Sequence, residues 1–162
     1  MGGTPGAMFD TQGDALPTWV ALTLVAGTAL AAVTAIPDSP TPDATAVANA
    51  VDAVTAGEYA AAHTVPTDAT TVRVRPTRVA LRNDAGATHA TFARPITPAD
   101  TPRLRRVLRG DAPLDVYPSI AAFRADVQRA RAADTSADWR PSLDSLRVRR
   151  VVLGGVDVTL LG

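Results

Sequence analysis

Apolar and polar positions follow three different rhythms along this chain, and each rhythm predicts a different kind of element. Residues 18–36 run for nineteen positions without a charge, between Pro17 and Pro37. An apolar run of ~18 or more residues is long enough to cross a hydrocarbon core. A first-turn proline is tolerated because its missing N–H needs no partner, whereas Pro37 cannot continue a helix. Trp19 stands at one end, where an interfacial aromatic belongs. The pattern therefore predicts an N-terminal tail over 1–16 and a transmembrane helix over 17–36. Two rival readings stay open. Val33-Thr34-Ala35 resembles a signal-peptide cleavage site, although Asp10 and Asp14 occupy the place of the basic n-region. The Ala and Thr content also suits a buried core helix. Myristoylation of Gly2 fails, because Gly6 stands where Ser or Thr is needed.

Within that run Thr23, Gly27, Ala31 and Ala35 recur every fourth residue, a ladder of small side chains that lets a second helix approach closely. An alanine-rich segment also produces such a ladder by composition alone. Residues 37–43 form a proline-rich linker. The remainder, 44–162, reads as one α+β soluble domain. Asp43 caps a helix over 44–56 with Val47, Val51 and Val54 on one stripe, and Gly57 stops it. Residues 58–69 show little pattern and read as a loop that holds His63.

From Thr71 the period becomes two. Val72 and Val74 alternate with Arg73 and Arg75, then Val79 and Leu81 with Arg78, Ala80 and Arg82. Asn83 to Gly86 is a turn, and the chain returns through Thr88 to Ala93. Thr101-Pro102 opens a short helix closed by Gly110. Ser119 caps a longer one with Ile120, Phe123 and Val127 inward and Arg124, Asp126, Arg129 and Arg131 solvated. A second hairpin runs over 146–153 and 156–161 about Gly154-Gly155. Strands at both ends with helices between predict one small antiparallel sheet with helices on one face, behind the transmembrane helix. Aromatics are only 4 % of the chain, so Trp139, Phe92, Phe123 and Tyr117 are assigned to the core as its bulky fillers.

The net charge of zero conceals a division. Residues 1–72 hold seven acids and no base; residues 73–162 hold sixteen arginines against nine aspartates. Such an imbalance suits an anionic partner. The chain has no lysine, however, and all but one of its acids are Asp, so a biased genome explains much of it. No Lys or Arg precedes Arg73, so the positive-inside rule does not set an orientation for the helix.

Candidate chemistry is sparse. With no cysteine there are no disulfides, thiolate metal sites or thiol nucleophiles. His63 and His89 lack a partner at metal-ligand spacing. No phosphate-binding loop, nucleophile elbow or zinc-protease helix occurs. The carboxylates show no close pair; Asp84 reads as a turn former and Asp157 as a solvated strand residue. No catalytic residue, metal or cofactor is assigned. Three arginine clusters remain: Arg73, Arg75, Arg78 and Arg82; Arg103, Arg105, Arg106 and Arg109; and Arg147, Arg149 and Arg150. The last two are the candidate surface for an anionic partner. Nucleic acid ranks low for want of exposed aromatics.

Arg78 to Gly86, followed by His89-Ala90-Thr91-Phe92, and the closing Arg149-Arg150-Val151 and Gly155 to Leu160 together resemble a family of small uncharacterised haloarchaeal single-pass membrane proteins. The resemblance covers most of the chain from Met8-Phe9-Asp10 onward. It implies residence in the cell membrane, with the bilayer and other membrane proteins as partners, and association with pilus-like or secretion-like machinery. The leading functional expectation is an accessory subunit of an envelope assembly. Against a processed pilin, no basic residue precedes the hydrophobic run. The alternative is a cytoplasm-facing tethered module that binds nucleic acid or acidic protein through its arginines.

Overall fold

The computed structural model describes residue 2 and residues 40–57, 59–133 and 139–162. The chain divides into two units, Met1–Asp38 and Ser39–Gly162, and among the described residues every helix and strand belongs to the second. Asp43 accepts from the Ala46 N–H at 2.9 Å and opens α1, Ala44–Ala56, whose Val47, Val51 and Val54 are buried as their spacing predicts. The chain then forms β1 (Ala62–Pro66), β2 (Thr71–Arg75), β3 (Arg78–Asn83), β4 (Gly86–Thr91) and β5 (Thr97–Pro98). Helices α2 (Pro102–Arg109), α3 (Pro113–Val116) and α4 (Ile120–Ala132) come next, then β6 (Arg140–Pro141), β7 (Ser145–Leu153) and β8 (Val156–Leu161). Thr101 and Ser119 cap α2 and α4, each accepting a backbone N–H at 3.2 Å. Gly154 and Gly155, at φ 53° and 75°, make the two-residue turn between β7 and β8.

The strands build two four-stranded sheets, which corrects the expectation of one. Sheet A has the order β1-β7-β8-β5 and sheet B the order β4-β3-β2-β6. All pairings are antiparallel except β5 with β8. The single-sheet reading fails because residues 62–66, which carry no alternation, are a strand whose register is supplied by β7. Helices also cover both faces of sheet A, not one. Leu146, Val148 and Leu161 face α1 and the inner side of sheet B, in a core with Val47, Val51, Val72, Val74, Val79 and Leu81. Val151, Val156, Val158 and Leu160 face α2, α3 and α4, with Leu104, Val107, Tyr117 and Phe123. Strand β8 is therefore covered on both sides, with Val156, Val158 and Leu160 on one and Thr159, Leu161 and the exposed Asp157 on the other. Helix α1 is wedged between the sheets, and Val47 and Val51 are fully buried there.

The membrane expectation is also corrected. Among the described residues, no helix is long and apolar enough to cross a membrane. The run over 17–36, with its ladder of Thr23, Gly27, Ala31 and Ala35, lies outside the described residues. The α+β class itself stands.

Candidate binding surface

The two arginine clusters selected from the sequence do meet, since β7 lies beside α2, and Arg109, Arg147 and Arg149 line one open pocket there, but most of their guanidinium groups bond to the chain itself. Arg147 Nη1 donates to the Arg109 carbonyl at 3.0 Å. Arg149 Nη1 donates to the carbonyls of Val107 and Asp111, the latter at 3.0 Å. These carbonyls lie at and just past the end of α2, where partners within the helix run out and its negative end charge gathers, so two cations are well placed to cap them. Arg105 donates to the Ala99 and Asp100 carbonyls, Arg106 pairs with Asp111 at 2.8 Å, and Arg103 lies over the Tyr117 ring. Arg150 forms a two-pronged pair with Asp157, at 3.0 and 2.6 Å. Its hydrogen bonds hold the Asp157 carboxyl below the usual carboxylate range. Among the described residues, Arg109 alone of the seven has a guanidinium without such a contact. The sequence shows the charge but not the carbonyls that absorb it.

The third cluster behaves differently. Alternation puts Val72, Val74, Val79 and Leu81 on the inner side of sheet B and sends the intervening residues to its outer side. Register then fixes three rows across that outer side: Thr71-Arg82-Ala87, Arg73-Ala80-His89 and Arg75-Arg78-Thr91. Arg75 and Arg78 stand directly opposite each other, an arrangement of like charges that costs a sheet stability. No ion pair among the described residues includes Arg73, Arg78 or Arg82. A groove of about 190 Å³ runs along this face, lined by Arg73, Arg75, Arg78, His89, Trp139 and small residues of β3 and β4, none of them acidic.

Trp139 is the residue that the sequence misassigned. It does not fill the core but lies half-exposed against the outer side of sheet B, one position before β6. The guanidinium carbons of Arg73 and Arg82 sit 4.6 and 4.4 Å from its ring centroid. Cation–π contacts of this kind are worth roughly 0.5–2 kcal/mol each, and they orient both arginines without neutralising them. Its flanks carried a usable signal: Trp139 stands between two charged residues, Asp138 and Arg140. Phe92, Phe123 and Tyr117 are buried as assigned.

A second polar constellation is internal. Asp126, expected at the solvated side of α4, is buried and accepts from Tyr117 Oη at 2.6 Å, Thr101 Oγ1 at 3.0 Å and Arg129 Nη1 at 2.7 Å. Burial and then the bond to Asp126 push the Tyr117 phenol well above its ordinary range. The cluster ties α2, α3 and α4 together. His63, placed in a loop by the sequence, lies on the exposed part of β1, and His89 projects from β4 into the groove. Among the described residues no group of three or more His, Asp or Glu could hold a metal ion.

A family model described as a family of unknown function, DUF7283, matches residues 10–151. The chain belongs to the DUF7283 family. The match spans every residue of the sheet B groove and ends within β7, before β8. No curated protein and no solved structure matches the chain. DUF7283 thus makes the resemblance one to an uncharacterised family and supplies no site residue.

Proposed function

We propose that the chain is a binding module that holds an anionic partner on the outer face of sheet B. One observation carries the reading: Arg73, Arg78 and Arg82 lie together on one rigid sheet face and take part in no ion pair among the described residues. Two of them are oriented by Trp139, so little side-chain entropy is left to lose when a partner binds. As an accessory subunit, such a module contributes a contact surface rather than a reaction. The lysine-free, aspartate-rich composition supports a haloarchaeal setting.

The test is fluorescence anisotropy of the full chain with two labelled probes, poly-aspartate and oligothymidylate, titrated at low and then rising salt. At least one probe binds, and its affinity falls with salt as exposed charge contacts are screened. Arg78→Glu and Arg82→Glu each weaken it about tenfold or more, the loss of one charge-assisted hydrogen bond. Arg106→Glu, on the sequence-nominated surface, leaves it unchanged. Binding of neither probe, or equal losses from all three substitutions, would sink the proposal.

A further inference from the structure

We infer that β4 is a docking edge, and that the partner is an extended acidic polypeptide segment that adds to sheet B as a fifth strand beside the arginine groove. The inference rests on the anionic-partner reading above and adds the backbone to it. In the order β4-β3-β2-β6, β4 is an outer strand of six residues, and among the described residues nothing pairs with its far side. Which of its peptide groups are free is set by the ladder. Residues of an antiparallel pair alternate between exchanging hydrogen bonds and pointing them away. Phe92 N–H donates to the Thr77 carbonyl at 3.0 Å, so the bonded pairs step by two from there, through Ala90 with Val79 and Thr88 with Leu81 to Gly86 with Asn83. Ala87, His89 and Thr91 fall between them. Their N–H and C=O groups therefore point outward from the sheet edge, a template for another strand.

The same three residues turn their side chains to the outer face, in the rows that hold Arg82, Arg73 and Arg78. A strand laid at ~4.8 Å from β4 would point alternate side chains over that face as well. Ala87 and Thr91 are small, so they leave those side chains a clear path toward the groove, with Arg78 in the row of Thr91. Carboxylates at those positions meet unneutralised guanidinium groups. The intervening side chains fall on the inner side, beside Ala90 and Ala50 at the margin of the core, where small apolar residues fit. The matching segment thus alternates acidic and small apolar residues.

Charge argues against a second copy in this place, because pairing β4 with β4 would join two arginine faces into one. Charge suits nucleic acid as well as an acidic peptide, but free stacking rings are scarce among the described residues. Besides the His89 imidazole, Trp139 is the one aromatic ring on this face among the described residues, and two guanidinium groups already cover it. Single-strand binding depends on free rings for successive bases. Strand β1, an outer strand of sheet A, also has a basic pocket beside it, but two of its three arginines, Arg147 and Arg149, are held by carbonyls at the end of α2.

The experiment is amide hydrogen exchange by NMR on the full chain. It compares the free protein with protein saturated by an end-blocked peptide in which Asp and Val alternate over about eight residues, a typical strand length. Exchange at Ala87, His89 and Thr91 should slow about tenfold or more, while Thr88 and Ala90, already bonded to β3, should change little. A peptide of equal charge with its Asp and Val in separate blocks, and one N-methylated at alternate amides, should bind about tenfold more weakly or worse. Equal binding of all three peptides, without protection at those amides, overturns strand addition but leaves the anionic-partner reading in place. Preference for oligothymidylate does the same. Binding of no anionic probe removes both. A concentration-dependent dimer that protects the same amides without peptide would assign the edge to a second copy and overturn the inference.

Discussion

Replacing Asp126 by alanine is the sharpest test of how the helical layer is held. The carboxylate is 7 % exposed and receives two hydroxyl donors, from Tyr117 and Thr101, and one guanidinium donor. Hydrogen bonds to a charged acceptor are worth about 1.5–3 kcal/mol each, and a buried donor left without one carries its full desolvation cost. Among the described residues the Tyr117 hydroxyl donates to Asp126, and Tyr117 itself is 2 % exposed. The Arg129 side chain is 71 % exposed, so its share is below about 1 kcal/mol. Asp126→Ala should therefore cost about 3–6 kcal/mol, a large part of the ~5–15 kcal/mol that holds such a domain. Asp126→Asn can keep its oxygen toward the two hydroxyls while Arg129 swings into water, and should cost about 1–2 kcal/mol. Urea denaturation followed by far-ultraviolet circular dichroism measures both, provided the slope m is unchanged. A cycle with Tyr117→Phe should show coupling of at least about 1 kcal/mol. An Asp126→Ala variant within about 1 kcal/mol of the parent, or strict additivity with Tyr117→Phe, would refute the reasoning.

Titration and turn geometry give three further expected outcomes. Because Tyr117 keeps its proton in the fold beyond the ~10 at which an unfolded phenol ionises, stability should fall as pH rises past about 10. In a Tyr59→Phe background, tyrosinate absorbance should appear together with unfolding and not before it. Asp157 shows the opposite sign: its depressed carboxyl stabilises the fold above the unfolded value near 3.9 and stops doing so as pH falls through the folded one. Asp157→Asn should therefore flatten the acid limb of the stability curve, with the two proteins converging at the lowest pH. Gly155→Ala should cost about 1–2 kcal/mol for the left-handed backbone alone. Gly154→Ala should cost somewhat more, since its new Cβ would meet Ile120 Cδ1 at 2.5 Å and turn that side-chain end aside, whereas Gly155 has open space; a higher melting temperature for Gly154→Ala than for Gly155→Ala would contradict this.

The elements that announce themselves locally were legible in the sequence. Helix α1 follows from Asp43 and three valines, the β3–β4 hairpin from alternation about Asn83 to Gly86, and the β7–β8 hairpin from two glycines. What the sequence hid depends on neighbours distant along the chain. Strand β1 has no rhythm of its own and exists because β7 offers it a ladder. Asp126 sits between Phe123 and Ala130 on the inward stripe of α4, but its charge argued for the surface, and only Tyr117 and Thr101 reverse that. The arginines misled in the same way. Arg147 and Arg149 read as free charge until the end of α2 appears beneath them, whereas Arg73 and Arg78 look like ordinary strand exteriors until the sheet aligns them. The apolar run over 17–36 predicted a membrane helix, and no described helix takes that role.

The wedge position of α1 has a consequence for synthesis. Its valines emerge from the ribosome early, yet the surfaces that bury them include Val148 and Leu161, made about a hundred residues later. Closing so long a loop is slow and must precede its reward. Until Leu161 is out, α1 has only the sheet B half of its seat, and a holding factor or fast elongation would protect the growing chain during that interval.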